Sequence, residues 1–163
     1  MSTMLDMLVR LYALPPLDAA LAAAGRHGIA VRRALAPEKR VVLRFVESHF
    51  PSSGPECDLA FARVPVACFI ALRGTDILGF ACYDSTCRNF FGPEAVLESE
   101  RGRGAGRALL LAALHAQREQ GYAYAIIGGV GPAAFYEKTV GAAVIPGSDP
   151  GIFSTLGDLR GQS

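Results

Sequence analysis

The sequence predicts an α/β fold, a central twisted mixed sheet flanked by helices. Two patterns and one bound predict it. Val64–Leu72 and Ile77–Tyr83 are apolar, β-forming runs joined by the turn Arg73-Gly74-Thr75-Asp76, the pattern of an antiparallel hairpin. Phe90–Leu97, a glycine-rich turn, a helix from about Gly104 to Glu119 and the apolar run Tyr122–Val130 compose a strand–helix–strand crossover, which sets its strands parallel. The chain has 163 residues, 51% apolar and 19% charged, enough for one domain with a substantial core.

The elements follow in order. Residues 8–14 alternate loosely as a strand, which Pro15-Pro16 ends. Leu17–Gly25 is an alanine-rich helix with Asp18 in its first turn, where the helix dipole favours a negative charge. Gly28 marks a break. Residues 1–28 therefore read as an N-terminal strand/helix extension ahead of a domain over 29–163, either extending the sheet or building a homodimer contact. Residues 29–35 form a first core strand. Pro37 suits position N1 of a helix in which Val41, Val42, Phe45 and Val46 recur at helical spacing. Residues 51–58 are a loop by composition, of a length that often serves function. Gly92-Pro93 interrupts the strand at Phe90–Leu97, as at a sheet edge or bulge. The front half of the helix at 104–119 is apolar on nearly all sides and is expected buried; Gly121 ends it. Tyr122–Val130 reads as a strand buried on both faces. A short helix at Pro132–Thr139 and strands at Ala142–Ile145 and Ile152–Leu156 complete the chain.

Composition excludes several classes. A net charge of +1 gives no broad basic face for nucleic acid. The longest apolar segment, Ala108–Leu114, is too short to span a membrane, and Asp6 and Arg10 break the pattern of a signal segment. Cys57, Cys68, Cys82 and Cys87 form no C-x-x-C pair and read as reduced thiols of a cytoplasmic protein, Cys68 and Cys82 as small core hydrophobes. His27, His49 and His115 have no metal-ligand spacing, so no metal is expected.

The stretch Arg101-Gly102-Arg103-Gly104-Ala105-Gly106-Arg107 carries the chemistry. The first N–H groups of a helix lack intrahelical partners and carry partial positive charge, and glycines let an anion approach the backbone. Three arginines add full charges, so the turn reads as a phosphate or pyrophosphate site. The glycines run G-x-G-x-G rather than G-x-G-x-x-G, and the next strand ends in Gly128-Gly129-Val130-Gly131 without a carboxylate, against a dinucleotide site. Gly106-Arg107-Ala108 does not supply the G-K-[ST] of a Walker loop.

What remains, R-x-x-G-x-G at Arg101, Gly104 and Gly106, resembles the pyrophosphate loop of the GNAT superfamily of acyl-CoA-dependent N-acyltransferases. Val96, five residues before Arg101, stands where that family pairs a strand residue with the pantetheine arm. Ala133–Ala142 looks like its A-x-x-F-Y-E-K-x-G-[FA] segment. The resemblance covers residues 29–157 and implies a GNAT-like fold, acetyl-CoA as cofactor, and acetyl transfer to a small-molecule or peptide amine by direct attack on the thioester. It implies that Val96, Leu97, Arg101, Gly102, Arg103, Gly104, Ala105, Gly106 and Arg107 hold the cofactor. A backbone N–H near Val96 or Leu97 would serve the oxyanion and Tyr136 the departing thiolate as general acid, with Phe135 in the core. Many relatives place a glutamate roughly where Asn89 and Phe90 stand; this chain has none there. Asp84 could reach the site through water; Glu98 and Glu100 are nearer the turn and either serve there, cap a helix or bond to arginines; a water chain or binding of the neutral amine stands equally beside them. Glu56 and Asp58 either attract an ammonium group or are solvated. The family's asparagine after its fifth strand is replaced by glycines. The alternative is a non-catalytic acyl-CoA sensor or interaction domain on the same fold.

Overall fold

A computed structural model describes residues 4–154. Seven strands form one sheet. They are β1 (Met7–Arg10), β2 (Ala30–Arg33), β3 (Cys68–Arg73), β4 (Asp76–Tyr83), β5 (Phe90–Val96), β6 (Tyr124–Ile127) and β7 (Ala143–Val144), in the order β2-β3-β4-β5-β6-β1-β7. Every neighbouring pair is antiparallel except β5–β6. The sheet is thus mixed, as the hairpin and the crossover require. The helices are α1 (Leu17–Gly25), α2 (Lys39–His49), α3 (Gly54–Ala60), α4 (Ala105–Glu119) and α5 (Ala133–Val140).

The two faces follow from strand alternation. Phe80 of β4 stacks on Phe50 at the end of α2, with ring centroids 5.9 Å apart, so Phe80 and its face-mates Leu78 and Cys82 look toward α2 and α3. Val96 and Glu94 of β5 look the other way: a methyl on Gly106 of α4 would meet Val96 Cγ2 at 3.8 Å and Glu94 Oε1 at 4.0 Å. Helix α4 lies across that second face with Ala105, Ala108–Leu114 and Ala116 buried, and α1 packs on it. His115 binds the Pro15 carbonyl through Nε2 at 2.9 Å, which pins the chain entering α1.

The structure differs from the expected elements in several places. Residues 51–58 are not a loop: a 3-10 turn at Pro51–Ser53 leads into α3. Pro55 sits in the first turn, where its missing N–H costs nothing, and Gly54, Cys57 and Ala60 make a buried stripe at three-residue spacing. The strand expected from Val64 begins at Cys68, and Val64 stands exposed. The strand at Tyr122–Val130 shortens to four residues with one face buried (Ala125, Ile127), because antiparallel β1 flanks it and Tyr124 lies exposed. Of the strand expected at Ile152–Leu156, residues 152–154 form a turn and the start of a helical turn, and the rest lies outside the described residues.

The strand of the 1–28 segment sits inside the sheet. Met7, Val9 and Leu11 are fully buried, and β1 bonds to β6 on one side and β7 on the other.

Candidate active site

Strands β5 and β6 run side by side only through Phe90↔Ile126 and Phe91↔Ile127. Gly92 then adopts φ 115°, a conformation that favours glycine, and Pro93 has no N–H to offer a neighbour. Beyond that point the strands part. The gap is a cleft of two lobes, about 820 Å³ toward the start of α4 and about 420 Å³ toward the start of α3. Glu94, Pro132 and Tyr136 line both lobes and form the waist between them.

The larger lobe is floored by β5 and walled by the glycine-rich turn. Leu97 N–H donates to the Leu78 carbonyl at 2.8 Å. Bonded residues alternate along an antiparallel edge, so Ala95 also faces β4, while the main-chain groups of Glu94 and Val96 face the opening. The open-edge donors are therefore those of Glu94 and Val96. Leu97, expected beside Val96 as an oxyanion donor, has its N–H already engaged and does not line the cleft. At the far end Gly104, with φ 87°, precedes α4 as an N-cap without a side-chain bond. Ala108 N–H is the first to reach back along the helix, to the Gly104 carbonyl at 3.0 Å. The N–H groups of Ala105, Gly106 and Arg107 have no carbonyl one turn earlier inside the helix, which is the donor cluster an anion needs.

The arginines divide. Arg101 and Arg107 line the lobe with Gly102, Gly104, Ala105 and Gly106. Arg103 does not line it; it pairs with Glu100 at 2.6 Å. Glu100 also takes two bonds from Arg73, at 2.9 and 3.0 Å. Arg73 chiefly, with Arg103, holds the Glu100 carboxyl below its usual range. Glu100 lines the lobe but has both carboxylate oxygens engaged by arginines, and it thus clips the turn to the β3–β4 hairpin.

Tyr136 rises from α5 into the waist, its ring edge-on to Phe135 at 5.1 Å and Phe91 at 6.4 Å. Phe135, expected in the core, lines the larger lobe while also packing on the core. Burial first, and the nearby Glu94 second, push the Tyr136 phenol well above its ordinary value.

Glu94 is the residue that sequence reasoning missed. Its Oε1 is sealed from solvent and accepts no hydrogen bond among the described residues. Burial pushes the carboxyl well above the usual carboxylate range. The signal that could have found it is period two: Glu94 lies two residues before Val96, on the same face of the strand and at the same open edge.

The other carboxylates are accounted for elsewhere. Asp84 is buried at the end of β4, where its Oδ1 accepts from Asn89 N–H at 2.7 Å, closing the 84–89 turn. Asp58 pairs with Lys39 at 2.8 Å and lines neither lobe, whereas Glu56 lines the smaller lobe with Ser52, Ser53 and Thr86. The glycines after β6 form that lobe's far wall. A methyl on Gly128 would stand 2.9 Å from Phe90 and 3.0 Å from Phe153, so the close approach demands glycine.

The N-terminal segment braces both ends of this cleft. Gly129 N–H donates to Asp6 Oδ1 at 3.0 Å and Val130 N–H to the Leu5 carbonyl at 2.8 Å. At the other end, the α-carbon of Gly104 packs against α1, where an added methyl would sit 3.4 Å from Ala24 N.

Residues 65–139 match the family model of the acetyltransferase (GNAT) domain. The matched family is that of the GNAT acetyltransferases, over just under half of the chain. The match spans β3 to α5, the segment that builds most of the cleft. Among solved structures, this chain is similar to the GCN5-related glucosamine N-acetyltransferase region of a fungal multi-domain GH3 β-N-acetylglucosaminidase. The TM-score is 0.72 at 15% identity, over 88% of this chain and 20% of that one. It is also similar to a GCN5-related N-acetyltransferase from Sphaerobacter thermophilus, with a TM-score of 0.64 at 20% identity, over 88% of this chain and 48% of that one. The chain thus spans a fifth of the first protein and about half of the second, and at these identities the likeness is one of fold. No curated protein matches it in sequence. Acetyl transfer is the general chemistry of its family. No helix among the described residues is long and apolar enough to cross a membrane.

Proposed function

We propose that this GNAT domain transfers an acetyl group from acetyl-CoA to an amine, a small molecule or a peptide, by direct attack on the thioester. One observation carries the reading: a single cleft joins a cluster of unpaired helix N–H groups to a waist holding a carboxyl oxygen sealed from solvent and a half-buried phenol. The residues fit the cofactor. The N–H groups of Ala105, Gly106 and Arg107, with Arg101 and Arg107, would hold the diphosphate, and the open edge at Glu94 and Val96 would pair with the pantetheine amides as an added strand does. Acetyl-CoA bound there would supply the activated acyl thioester.

The chain's own groups would do the rest. Of the two main-chain N–H groups at the open edge, that of Glu94 would stand at the waist as a fixed donor suited to a developing oxyanion, leaving that of Val96 to the pantetheine. The Glu94 side chain, with its proton affinity raised by burial, is matched to collecting a proton from an ammonium group. Tyr136 keeps its proton at neutral pH and offers its O–H as a donor at the waist, where the thiolate departs. The smaller lobe, with Ser52, Ser53, Glu56 and Thr86, would seat the acceptor.

The test is coenzyme A release from acetyl-CoA with a panel of amines, amino acids, polyamines and peptides. Release above hydrolysis with at least one acceptor is expected. Tyr136→Phe should lower kcat by roughly 10²-fold or more, the low end of the range for a lost proton donor, and leave coenzyme A affinity unchanged. A domain that binds coenzyme A but releases none with any acceptor would be the non-catalytic sensor instead.

A further inference from the structure

Three reactive side chains stand outside the cleft and its chemistry. Cys57 of α3, Cys68 of β3 and Cys82 of β4 hold their sulfur atoms all within 4.8 Å of one another, and none of the three exposes any surface. The geometry is built by the fold. Tyr83 N–H donates to the Ala67 carbonyl at 3.0 Å, so the adjacent pair Cys68↔Cys82 is a non-hydrogen-bonded pair, whose side chains stand closest across the ladder. Cys57 comes down on that pair from the buried stripe of α3.

The donor set is all sulfur. No histidine or carboxylate joins the group among the described residues. The neighbouring Asp58 turns outward to Lys39 at 2.8 Å. A structural zinc site completes four ligands, whereas soft thiolate sets select soft ions. Bonds to sulfur of about 2.3 Å, set at the roughly 100° angles of a three-coordinate centre with a lone pair, would place the sulfurs about 3.5 Å apart, so closure needs each sulfur to move by about 1 Å or less.

Charge narrows the choice. A buried site with no nearby cation tolerates little net charge. Arsenous acid meets three thiols without leaving any charge behind. Three As–O bonds break, three As–S bonds form, the three thiol protons leave with the hydroxides as three waters, and arsenic stays trivalent.

We propose that Cys57, Cys68 and Cys82 form a three-thiol site for a soft, three-coordinate thiophilic centre, arsenic(III) being the one that keeps the buried cluster neutral.

The test titrates the reduced full chain with arsenite and, separately, with zinc(II). Native mass spectrometry should show one arsenic gained and three hydrogens lost. X-ray absorption should show three sulfurs around it, and zinc should bind at least 10-fold more weakly. Cys57→Ala, Cys68→Ala and Cys82→Ala should each abolish the adduct, and Cys87→Ser should retain it. Should an alanine variant fail to fold, the coordination number in the wild-type adduct decides. No adduct, an adduct with two sulfurs, or one that survives Cys57→Ala overturns the proposal. So does zinc binding as tightly in a four-coordinate shell.

Discussion

Glu94→Gln is the most informative perturbation of the cleft, because it removes a proton site and little else. The amide matches the carboxyl in size, so the waist keeps its shape and β5 its pairing with β4. If Glu94 collects the acceptor's proton, its loss should lower kcat/KM by about 10²- to 10⁴-fold, the usual worth of a positioned acid or base. That is roughly 3–5 kcal/mol of barrier. Coenzyme A affinity should stay within about 2-fold. The same change should act on stability with a definite sign. Glu94 holds its proton more tightly folded than unfolded, so the folded state binds more protons once pH passes the unfolded carboxylate value of about 4.3. Wild-type stability therefore falls as pH rises through the window between that value and the raised folded one, then levels off. Gln has no proton to lose and lacks this decline. A buried polar group left unpaired costs about 1–3 kcal/mol. Relief of part of that cost should raise Tm by a few degrees at alkaline pH, since about 1 kcal/mol moves Tm by roughly 2–4 °C in a domain of this size. At low pH, where wild-type Glu94 is protonated in both states, the two proteins should converge. The assay pairs a coenzyme A release pH profile with thermal melts from pH 4 to 9. Turnover within about 3-fold of wild type, or melts that stay parallel across that range, would refute the reasoning.

Three further changes test the scaffold. Gly104→Ala should cost about 1–2 kcal/mol from its left-handed backbone, the added methyl meeting Ala24 only at contact distance. Coenzyme A affinity by calorimetry should fall with it, and unchanged affinity would show that the N-terminus of α4 does not hold the diphosphate. Glu100→Gln should loosen the clip from Arg73 and Arg103, raising KM for acetyl-CoA a few-fold with kcat unchanged, as read from steady-state kinetics. Gly79→Ala would place a methyl 2.8 Å from the Ala95 carbonyl, where only backbone can give way. It should lower stability by about 1–3 kcal/mol in a denaturant melt.

The hairpin, the crossover and the glycine-rich turn were legible because each is written in local spacing. Helix α3 was not. Its Pro51-Ser-Ser-Gly-Pro55 start has the composition of a loop, and its buried stripe is only Gly54, Cys57 and Ala60, too short to announce a period. Asp84 looked available because its sequence position ends a strand beside the site. Its bond to Asn89 N–H and its burial are consequences of how the 84–89 turn closes.

Glu94 was hidden for a different reason. The family pattern draws attention to positions 89–90, where β5 still runs beside β6 and its edge is not yet open. The opening begins only after Gly92-Pro93, and there Glu94 Oε1 is sealed from solvent without a partner among the described residues. The same logic explains the N-terminal segment. Nothing in residues 1–28 marks them as belonging to an active site, yet Asp6 holds Gly129 across 123 positions of sequence and Ala24 abuts Gly104 across 80. A cleft between two parting strands needs its banks held from outside the sheet pairing, because the hydrogen bonds that would hold them are the ones given up to make room. In this chain β1 and α1 supply that hold, one at each end. Disruption of Asp6 should therefore disturb the acceptor side and disruption of Ala24 the diphosphate side, although neither residue lines the cleft.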